Sequence, residues 1–348
     1  MGHVIARASG DAADGFSKPY LAAVAYGSAV YGFAAIVLSM VSARRLGLNA
    51  FGPALAIWFG TPLVFYMYIA PPFSHACSAF GVALFIYVWL RVRGEWSPGG
   101  LAALGASAAL MAIIREQDAF FVIGPGLDVA LWALGRLRSG DFESLMAGVK
   151  SMVAAIVAFT VVFLPQAMAY LVLNGHIGPH SSVSRKMTWT APHALQVLVS
   201  PEHGFFVWTP LAAVALIGLL IRRERVFALL FVMAAFQVYV GGSVESWTVA
   251  GAFGQRRFIA LTAILIVGLS VLWQSARSGV ARSTLAVVMA LGVYWNVALT
   301  AEFAIGLMDR QKLEPGKNAY DAFVTLPRQL PTLAYRYLFD RASFYKAR

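Results

Sequence analysis

The sequence predicts an all-α membrane protein, a bundle of about ten transmembrane helices followed by an amphipathic C-terminal tail. Hydrophobic residues make up 59% of the 348 residues and charged residues only 12%, whereas soluble domains are about 45–50% apolar and about 25% charged. The net charge of +11 does not indicate nucleic-acid binding, because Lys and Arg collect in the cytoplasmic loops of membrane proteins. We therefore expect membrane lipids, and no nucleic acid, as partners.

The helices are predicted from apolar segments close to the roughly 20 residues that a spanning helix needs. In chain order these segments cover residues 20–43, 50–70, 74–90, 99–114, 119–135, 149–173, 204–221, 226–240, 258–274 and 284–305. Several are shorter than the usual length, so they must thin the bilayer or lie inside the bundle. We expect residues 1–305 to form one membrane domain, with a helix break at the Gly-Pro-Gly run 124–126.

The orientation is predicted from the basic residues, since positively charged loops face the cytoplasm. With ten spans, alternate short loops between the spans carry groups of basic residues, and all of these loops fall on one side: Arg44 and Arg45; Arg91 and Arg93; Arg136, Arg138 and Lys150; Arg222, Arg223 and Arg225; and Arg277 and Arg282. We expect this side to be cytoplasmic and both termini to be extracytoplasmic.

Five basic residues fall in the predicted outer loops between spans, against this bias: Arg115, Arg185, Lys186, Arg256 and Arg257. A single cation at a helix end is explained by a long side chain that reaches the lipid headgroups. Five on one face favour a ligand instead. A planar guanidinium suits phosphate in particular, because it can bind two oxygens at once.

The outer ends of the predicted spans also collect carboxylates, imidazoles and tryptophans at one depth. The candidates for lining a site there are His75, Glu116, Glu202, His203 and Glu245. Tryptophans offer stacking faces for sugar rings, but they also populate the aromatic belts of ordinary membrane proteins. These residue types favour an extracytoplasmic polar site.

Asp128 is predicted to lie inside the fifth span. A carboxylate in the hydrocarbon region has a partner or lines a polar cavity. A structural hydrogen bond and a proton relay both fit this residue.

No metal site and no cofactor are assigned from the sequence. The outer loop 174–203 carries His176, His180 and His193, but their spacing fits no His-Glu-x-x-His motif, which leaves a divalent ion with other ligands open. Cys77 is the single cysteine, so an intramolecular disulfide is excluded. The loop is either a solvated connection or a cover over a substrate.

Residues 306–348 are predicted to form an extracytoplasmic tail with an interfacial helix. Its apolar and aromatic residues fall near one helical face: Leu333, Tyr337, Leu338 and Tyr345. Its charged residues lie mostly off that face: Arg336, Asp340 and Lys346. This pattern is typical of a helix that lies on a membrane surface.

Four stretches carry a resemblance to a known enzyme superfamily. SPEHGFFVWTPLAAVALIGL (200–219) and WTVAGAFGQRRFIALTAIL (247–265) resemble the latter half of bacterial glycosyltransferases of the GT-C type, which are related to protein O-mannosyltransferases and to the aminoarabinose transferase of lipid A. GTPLVFYMYIAPPFSHACSAFGVAL (60–84) and AALMAIIREQDAFFVI (108–123) are similar to its middle spans. The resemblance covers most of residues 20–275 and consists of hydropathy and short motifs.

The resemblance implies transfer of a sugar from a polyprenyl-phosphate-linked donor to a lipid, glycan or protein acceptor, on the outer face of a bacterial inner membrane. It implies that Arg256 binds the donor phosphate, with Arg257 and Arg115 as further candidates, and that Glu202 and His203 line the site. The leaving phosphate gains negative charge in the transition state, and cations that are already in place stabilise that charge.

One departure from the family concerns the catalytic base. These enzymes have a first span followed by a large outer loop, in which an early acidic residue acts as the base. Here a polar stretch leads directly into the first apolar segment, and Asp11 and Asp14 are the only acids before it. Asp14 is the best base that the chain offers by position. We expect residues encoded upstream to supply the true base, so that this chain alone is catalytically incomplete.

Two other classes of protein stay open. A transporter or flippase of a lipid-linked or anionic substrate would use the same outer arginines, with Asp128 as an ion site. Many transporters have repeats with broken helices near mid-membrane, and this sequence predicts one such break, at 124–126. A non-catalytic membrane subunit is favoured if the base is truly absent.

Overall fold

The computed structural model describes residues 1–249 and 251–344, so the predicted tail positions Tyr345 and Lys346 lie outside the described residues. Its α-helices are α1 (Gly2–Ser9), α2 (Lys18–Arg45), α3 (Phe51–Gly60), α4 (Leu63–Tyr68), α5 (His75–Val92), α6 (Pro98–Ile114), α7 (Ile123–Ser139), α8 (Phe142–Asn174), α9 (Ser181–Ser184), α10 (Gln196–Val199), α11 (Phe205–Trp208), α12 (Pro210–Leu219), α13 (Arg225–Gly242), α14 (Thr262–Ser275), α15 (Gly279–Ile305), α16 (Pro315–Tyr320) and α17 (Leu326–Phe339). Shorter 3-10 segments cover Glu116–Val122, Arg256–Leu261 and Arg341–Phe344, and a π-helical turn covers Asp321–Thr325.

Among the described residues, seven helical stretches are long and apolar enough to cross a membrane: Lys18–Arg45, His75–Val92, Glu116–Ser139, Phe142–Asn174, Arg225–Gly242, Arg256–Ser275 and Gly279–Ile305. The prediction of an all-α, multi-pass integral membrane protein is therefore confirmed. The remaining three predicted segments are also helical, but α3, α6 and α12 are shorter. Whether they complete a set of ten spans stays a prediction.

Two predicted spans are interrupted at a Thr-Pro pair. The second span divides into α3 and α4 at Thr61 and Pro62, and the seventh divides into α11 and α12 at Thr209 and Pro210. Proline causes both breaks because it lacks the N–H that continues a helix and its ring clashes with the preceding turn. At the first break the Asn296 side chain donates to the carbonyl of Thr61 at 2.9 Å, so the freed backbone oxygen is satisfied.

The break predicted at Gly124–Pro125–Gly126 is wrong. These residues lie in the first turn of α7, which runs without interruption from Ile123 to Ser139. Proline is tolerated there because the N–H groups of a first helical turn have no partner within the helix. What changes at this point is the helix type, from the 3-10 segment to the α-helix.

Glycines allow the closest approaches between helices. A Cβ added to Gly218 on α12 would lie 2.0 Å from the carbonyl oxygen of Gly268 on α14, and one added to Gly268 would lie 2.0 Å from that of Ala215. Gly105 on α6 meets the carbonyl oxygen of Ala155 on α8 in the same way. Small residues are favoured at such crossings, because packing is the main attraction between helices in lipid.

The periphery of the bundle is apolar. The most hydrophobic 18-residue stretch of α8 has no buried residue, which is the arrangement expected for a helix that faces lipid. The tail crosses α15, where the Tyr294 hydroxyl donates to the Ala322 carbonyl at 2.6 Å and Leu326 packs against Ala298. Beyond this crossing, α17 exposes several large apolar and aromatic side chains: Leu330, Tyr335, Tyr337, Leu338 and Phe339. The placement of this helix on a lipid surface stays a prediction.

Candidate functional site

The backbone near Arg256 depends on two glycines. Gly251 and Gly254 have φ angles of 72° and 59°, a left-handed conformation that residues with a side chain rarely adopt. A Cβ on Gly254 would also lie 2.7 Å from a ring carbon of Pro62. The turn therefore packs against the α3–α4 break. The 3-10 segment that starts at Arg256 follows it directly.

Arg115 is brought to His75 from 40 positions along the chain. It follows the last residue of α6, whereas His75 is the first residue of α5, and Nη1 of Arg115 lies 2.6 Å from Nδ1 of His75. Tyr66 contacts the imidazole edge-on, with ring centroids 4.7 Å apart, and Phe73 stacks on it at 6.0 Å. His75 is thus buried within an aromatic setting.

The other two arginines are anchored in different ways. The guanidinium of Arg256 lies over the ring of Phe73, 5.5 Å from its centroid. Arg257 donates to the carbonyl of Ser246 at 2.8 Å and to its hydroxyl at 3.2 Å, while its own carbonyl accepts from Gln117 at 3.4 Å. Gln117 lies two positions after Arg115, so the loops of Arg115 and Arg257 are tied together.

Unneutralised positive charge is the main electrostatic property of this cluster. Within the described chain, Arg115, Arg256 and Arg257 form no ion pair with a carboxylate. Burial lowers the pKa of Arg115, and the charge of Arg256 adds to this effect, while Asp118 opposes it. Arg257 lies within electrostatic reach of both other guanidiniums. Such a cluster favours an anionic ligand.

Asp118 is an acidic group within electrostatic reach of Arg115, and it is fully buried. Its Oδ2 accepts from the Ser78 hydroxyl at 2.5 Å, and its backbone N–H donates to the Arg115 carbonyl at 2.9 Å. The carboxylate therefore offsets part of the charge of Arg115 without accepting a hydrogen bond from its guanidinium.

His203 supports the site through the backbone. Its Nε2 lies 2.8 Å from the Ala252 carbonyl, its ring stacks on Trp208 at 4.9 Å, and its own carbonyl accepts from Gln255 at 3.2 Å. Burial lowers the pKa of His203, so the ring is neutral and Nε2 donates to Ala252. His203 thus fixes the turn that leads to Arg256.

The predicted acidic residues form no ion pair with the arginine cluster in the described chain. Glu116, Glu202 and Glu245 are exposed. The carboxylate of Glu116 accepts from the Tyr170 hydroxyl, and the backbone N–H of Glu245 donates to the Lys186 carbonyl at 2.8 Å. Their assignment to a substrate site stays a prediction.

Asp14 lies four residues before α2, which begins at Lys18. Its Oδ1 accepts from the N–H groups of Phe16 and Ser17, both at 2.8 Å, and these bonds lower the pKa of the exposed carboxyl. A lower pKa makes a carboxylate a weaker base at neutral pH. Ser28, ten residues into α2, donates to the Pro71 carbonyl beside Phe73, so about 15 Å of helix separates the start of α2 from this level.

Asp128 has charged partners. Arg93 donates to Oδ2 at 3.0 Å and to Oδ1 at 3.3 Å, Arg225 lies 3.1 Å from Oδ1, and the Trp89 indole donates at 3.1 Å. The residue joins α5, α7 and α13 at the end of the bundle that carries the basic loops. This arrangement matches the structural alternative for Asp128, since both carboxylate oxygens are occupied.

Sequence reasoning missed Tyr66, Phe73 and Gln117. Phe73 could have been predicted from the sequence, because an aromatic residue two positions before a candidate histidine can share its environment. Tyr66 was not, because its role depends on the chain folding back at Pro62. Among the residues that the structure describes, no group of three His, Cys, Asp or Glu side chains is placed to hold a metal ion.

Fold and site together define a polytopic helical membrane protein with a cationic site at one end of its bundle. No protein-family model, curated protein or solved structure matches this chain.

Proposed function

We propose that this protein transfers a sugar from a polyprenyl-phosphate-linked donor to an acceptor at the extracytoplasmic face of the membrane. The observation that carries the proposal is the convergence of Arg115, Arg256 and Arg257 in a partly buried cluster without carboxylate ion pairs among the described residues. The distribution of basic loops supports ten spans, and with them an outer position for this cluster. The resemblance of residues 200–219 and 247–265 to GT-C enzymes supports the same reaction.

The chemistry of such a transfer fits the charge of the cluster. The bond between the sugar's anomeric carbon and the phosphate oxygen breaks, and an acceptor hydroxyl oxygen forms the new bond while its proton passes to a base. The leaving phosphate changes from a singly charged diester toward a doubly charged monoester. Guanidiniums fixed beforehand stabilise that added charge most strongly in the transition state. The proposed base within this chain is Asp14.

Donor binding tests the proposal. The full chain in lipid nanodiscs should bind a polyprenyl-phosphate sugar, and Arg256→Ala should weaken binding by about 1–3 kcal/mol, the range for a charge-assisted hydrogen bond. Arg256→Lys should recover only part of the loss, because an ammonium lacks the two-pronged guanidinium geometry. Arg185→Ala is the matched control, since Arg185 is exposed in the outer loop and bonds only to Ser181 in the described chain. Unchanged donor binding by a folded Arg256→Ala protein would remove the basis of the proposal.

One observation favours transport as a second candidate function. The breaks at Thr61–Pro62 and Thr209–Pro210 interrupt the second and seventh apolar segments, and Gly60 beside the first break meets Leu211 beside the second. Paired interruptions of this kind occur at the substrate sites of transporters. Movement of a fluorescent polyprenyl-phosphate sugar between the leaflets of proteoliposomes, without sugar transfer, would favour this candidate.

A further inference from the structure

The protonation of His75 follows from its contact with Arg115. Nδ1 of His75 lies 2.6 Å from Nη1 of Arg115. A guanidinium has only donors, so Nδ1 accepts this hydrogen bond and carries no proton. The imidazole is then neutral, and its single N–H is on Nε2.

The orientation of the ring is fixed by its neighbours. Tyr66 contacts it edge-on with a 70° angle between the planes, and Phe73 stacks on it at 19°. The Tyr66 hydroxyl is itself held by Phe253, since it donates to the Phe253 carbonyl at 3.3 Å and accepts from its N–H at 3.2 Å. A buried ring packed in this way keeps its N–H in one direction.

The Nε2–H group is available to a ligand. Within residues 1–249 and 251–344, the His75 ring makes its hydrogen bond through Nδ1, to Arg115. Nε2 has no hydrogen-bond partner there, yet it is not fully enclosed by protein atoms. Three guanidiniums act on the ring, those of Arg115, Arg256 and Arg257. The ring therefore lies within electrostatic reach of all three arginines.

We propose that His75 is a phosphate-binding residue that donates its Nε2–H to a phosphoryl oxygen of the lipid-linked donor. This inference rests on the proposed function, because it places the phosphate between Arg115 and Arg256. A neutral donor adds a hydrogen bond to the phosphate without adding to the mutual repulsion of three cations. Arg115 has a second role as a positioning residue, since its guanidinium keeps the ring neutral and selects its tautomer.

The tautomer is tested by nitrogen NMR on the full chain in nanodiscs, with ¹⁵N-labelled histidine and the His75 signal identified by its loss in His75→Gln. We expect one protonated nitrogen, Nε2, at neutral pH. In Arg115→Gln the ring loses the guanidinium that donates to Nδ1, so we expect Nδ1 to carry the proton in part of the molecules. A His75 ring that is protonated on both nitrogens, or on Nδ1, at neutral pH in the unsubstituted protein overturns the proposal.

Binding is tested with undecaprenyl phosphate as the probe. His75→Phe keeps a ring but removes the donor, so we expect affinity to fall about tenfold or more, whereas the amide of His75→Gln can replace Nε2–H and should keep affinity within about threefold. His176→Phe, at an exposed outer-loop histidine, should bind like the unsubstituted protein.

The two proposals fail in different ways. If Arg256→Ala loses binding while folded His75→Phe does not, the phosphate site stands and the role of His75 is refuted. If Arg256→Ala binds normally, the proposed function itself fails, and with it the inference. Should His75→Phe not fold, the tautomer measured in the unsubstituted protein still decides.

Discussion

At the scale of single residues, the two groups of arginines differ in whether they pair with a carboxylate. Asp128 forms ion pairs with Arg93 and Arg225 at one end, whereas Arg115, Arg256 and Arg257 form no carboxylate ion pairs in the described chain. Because a charge near lipid is costly unless it has a partner or a function, the first group is expected to serve stability and the second to serve binding.

Replacing Asp128 tests this division. We expect Asp128→Asn to lower the free energy of unfolding by roughly 1–3 kcal/mol, less than for a fully buried pair, because the arginines can turn toward water. Arg93 and Arg225 are 26% and 50% exposed. Thermal unfolding in detergent measures the loss, and donor binding by the surviving folded protein should be unchanged. A loss of ion-coupled transport without a loss of stability would instead identify Asp128 as an ion site.

His203 gives a dependence of stability on pH. Its pKa is lowered by burial from about 6.5, so below that pH the unfolded chain takes up a proton that the folded chain does not. The stabilising contribution is therefore complete above pH 6.5 and decreases as the pH falls toward the pKa of the folded state. We expect the unfolding temperature to decrease between about pH 7.5 and 5, with a smaller decrease in His203→Gln. His176→Gln is the control, and an identical slope in all three proteins would contradict the assignment.

At the scale of elements, the helices differ from their predicted extents for identifiable reasons. The span predicted over 149–173 begins earlier, at Phe142, where the Asp141 side chain accepts from the Ser144 N–H at 3.1 Å and caps α8. The spans predicted over 50–70 and 204–221 are divided at Pro62 and Pro210. Hydropathy is continuous across both prolines, so it does not reveal either break.

The crossing of α12 and α14 should be intolerant of a methyl group. In Gly268→Ala the new Cβ would lie 2.0 Å from the Ala215 carbonyl oxygen, so the helices must separate. We expect the free energy of unfolding to fall by about 1–3 kcal/mol, measured by thermal unfolding. Gly126→Ala in α7 is the matched control, since its Cβ meets nothing within 4 Å, and the better helix propensity of alanine predicts no loss. Equal stability of the two variants would refute this packing.

At the scale of the whole molecule, the site assignment depends on topology. In a Cys77→Ser background, we expect a thiol at Ser182→Cys to react with an impermeant maleimide from the outer side. A thiol at Arg277→Cys should react only after the membrane is opened. Both positions are exposed. The neighbouring Ser278 is not replaced, because its hydroxyl caps α15 by accepting from the Ala281 N–H at 3.1 Å. The reverse labelling would place the arginine cluster in the cytoplasm and exclude an extracytoplasmic reaction.

The sequence alone determined the class of the protein and the positions of its long apolar helices, and it singled out Arg115, Arg256 and Arg257 as candidates. These properties are local: whether about 20 residues favour lipid depends on their summed transfer free energy, and a cation against the charge bias stands out without knowledge of its neighbours.

Only the tertiary structure decided which residues meet. Arg115 contacts His75, which lies 40 positions away in the sequence, and Gln117 donates to Arg257, 140 positions away. Asn296 donates to the free carbonyl of Thr61, 235 positions away. Each contact depends on how a helix is rotated and where it crosses its neighbours, and glycines such as Gly268 set those crossings. Hydropathy varies too little around an apolar helix to specify its rotation, so packing decided which residues become partners.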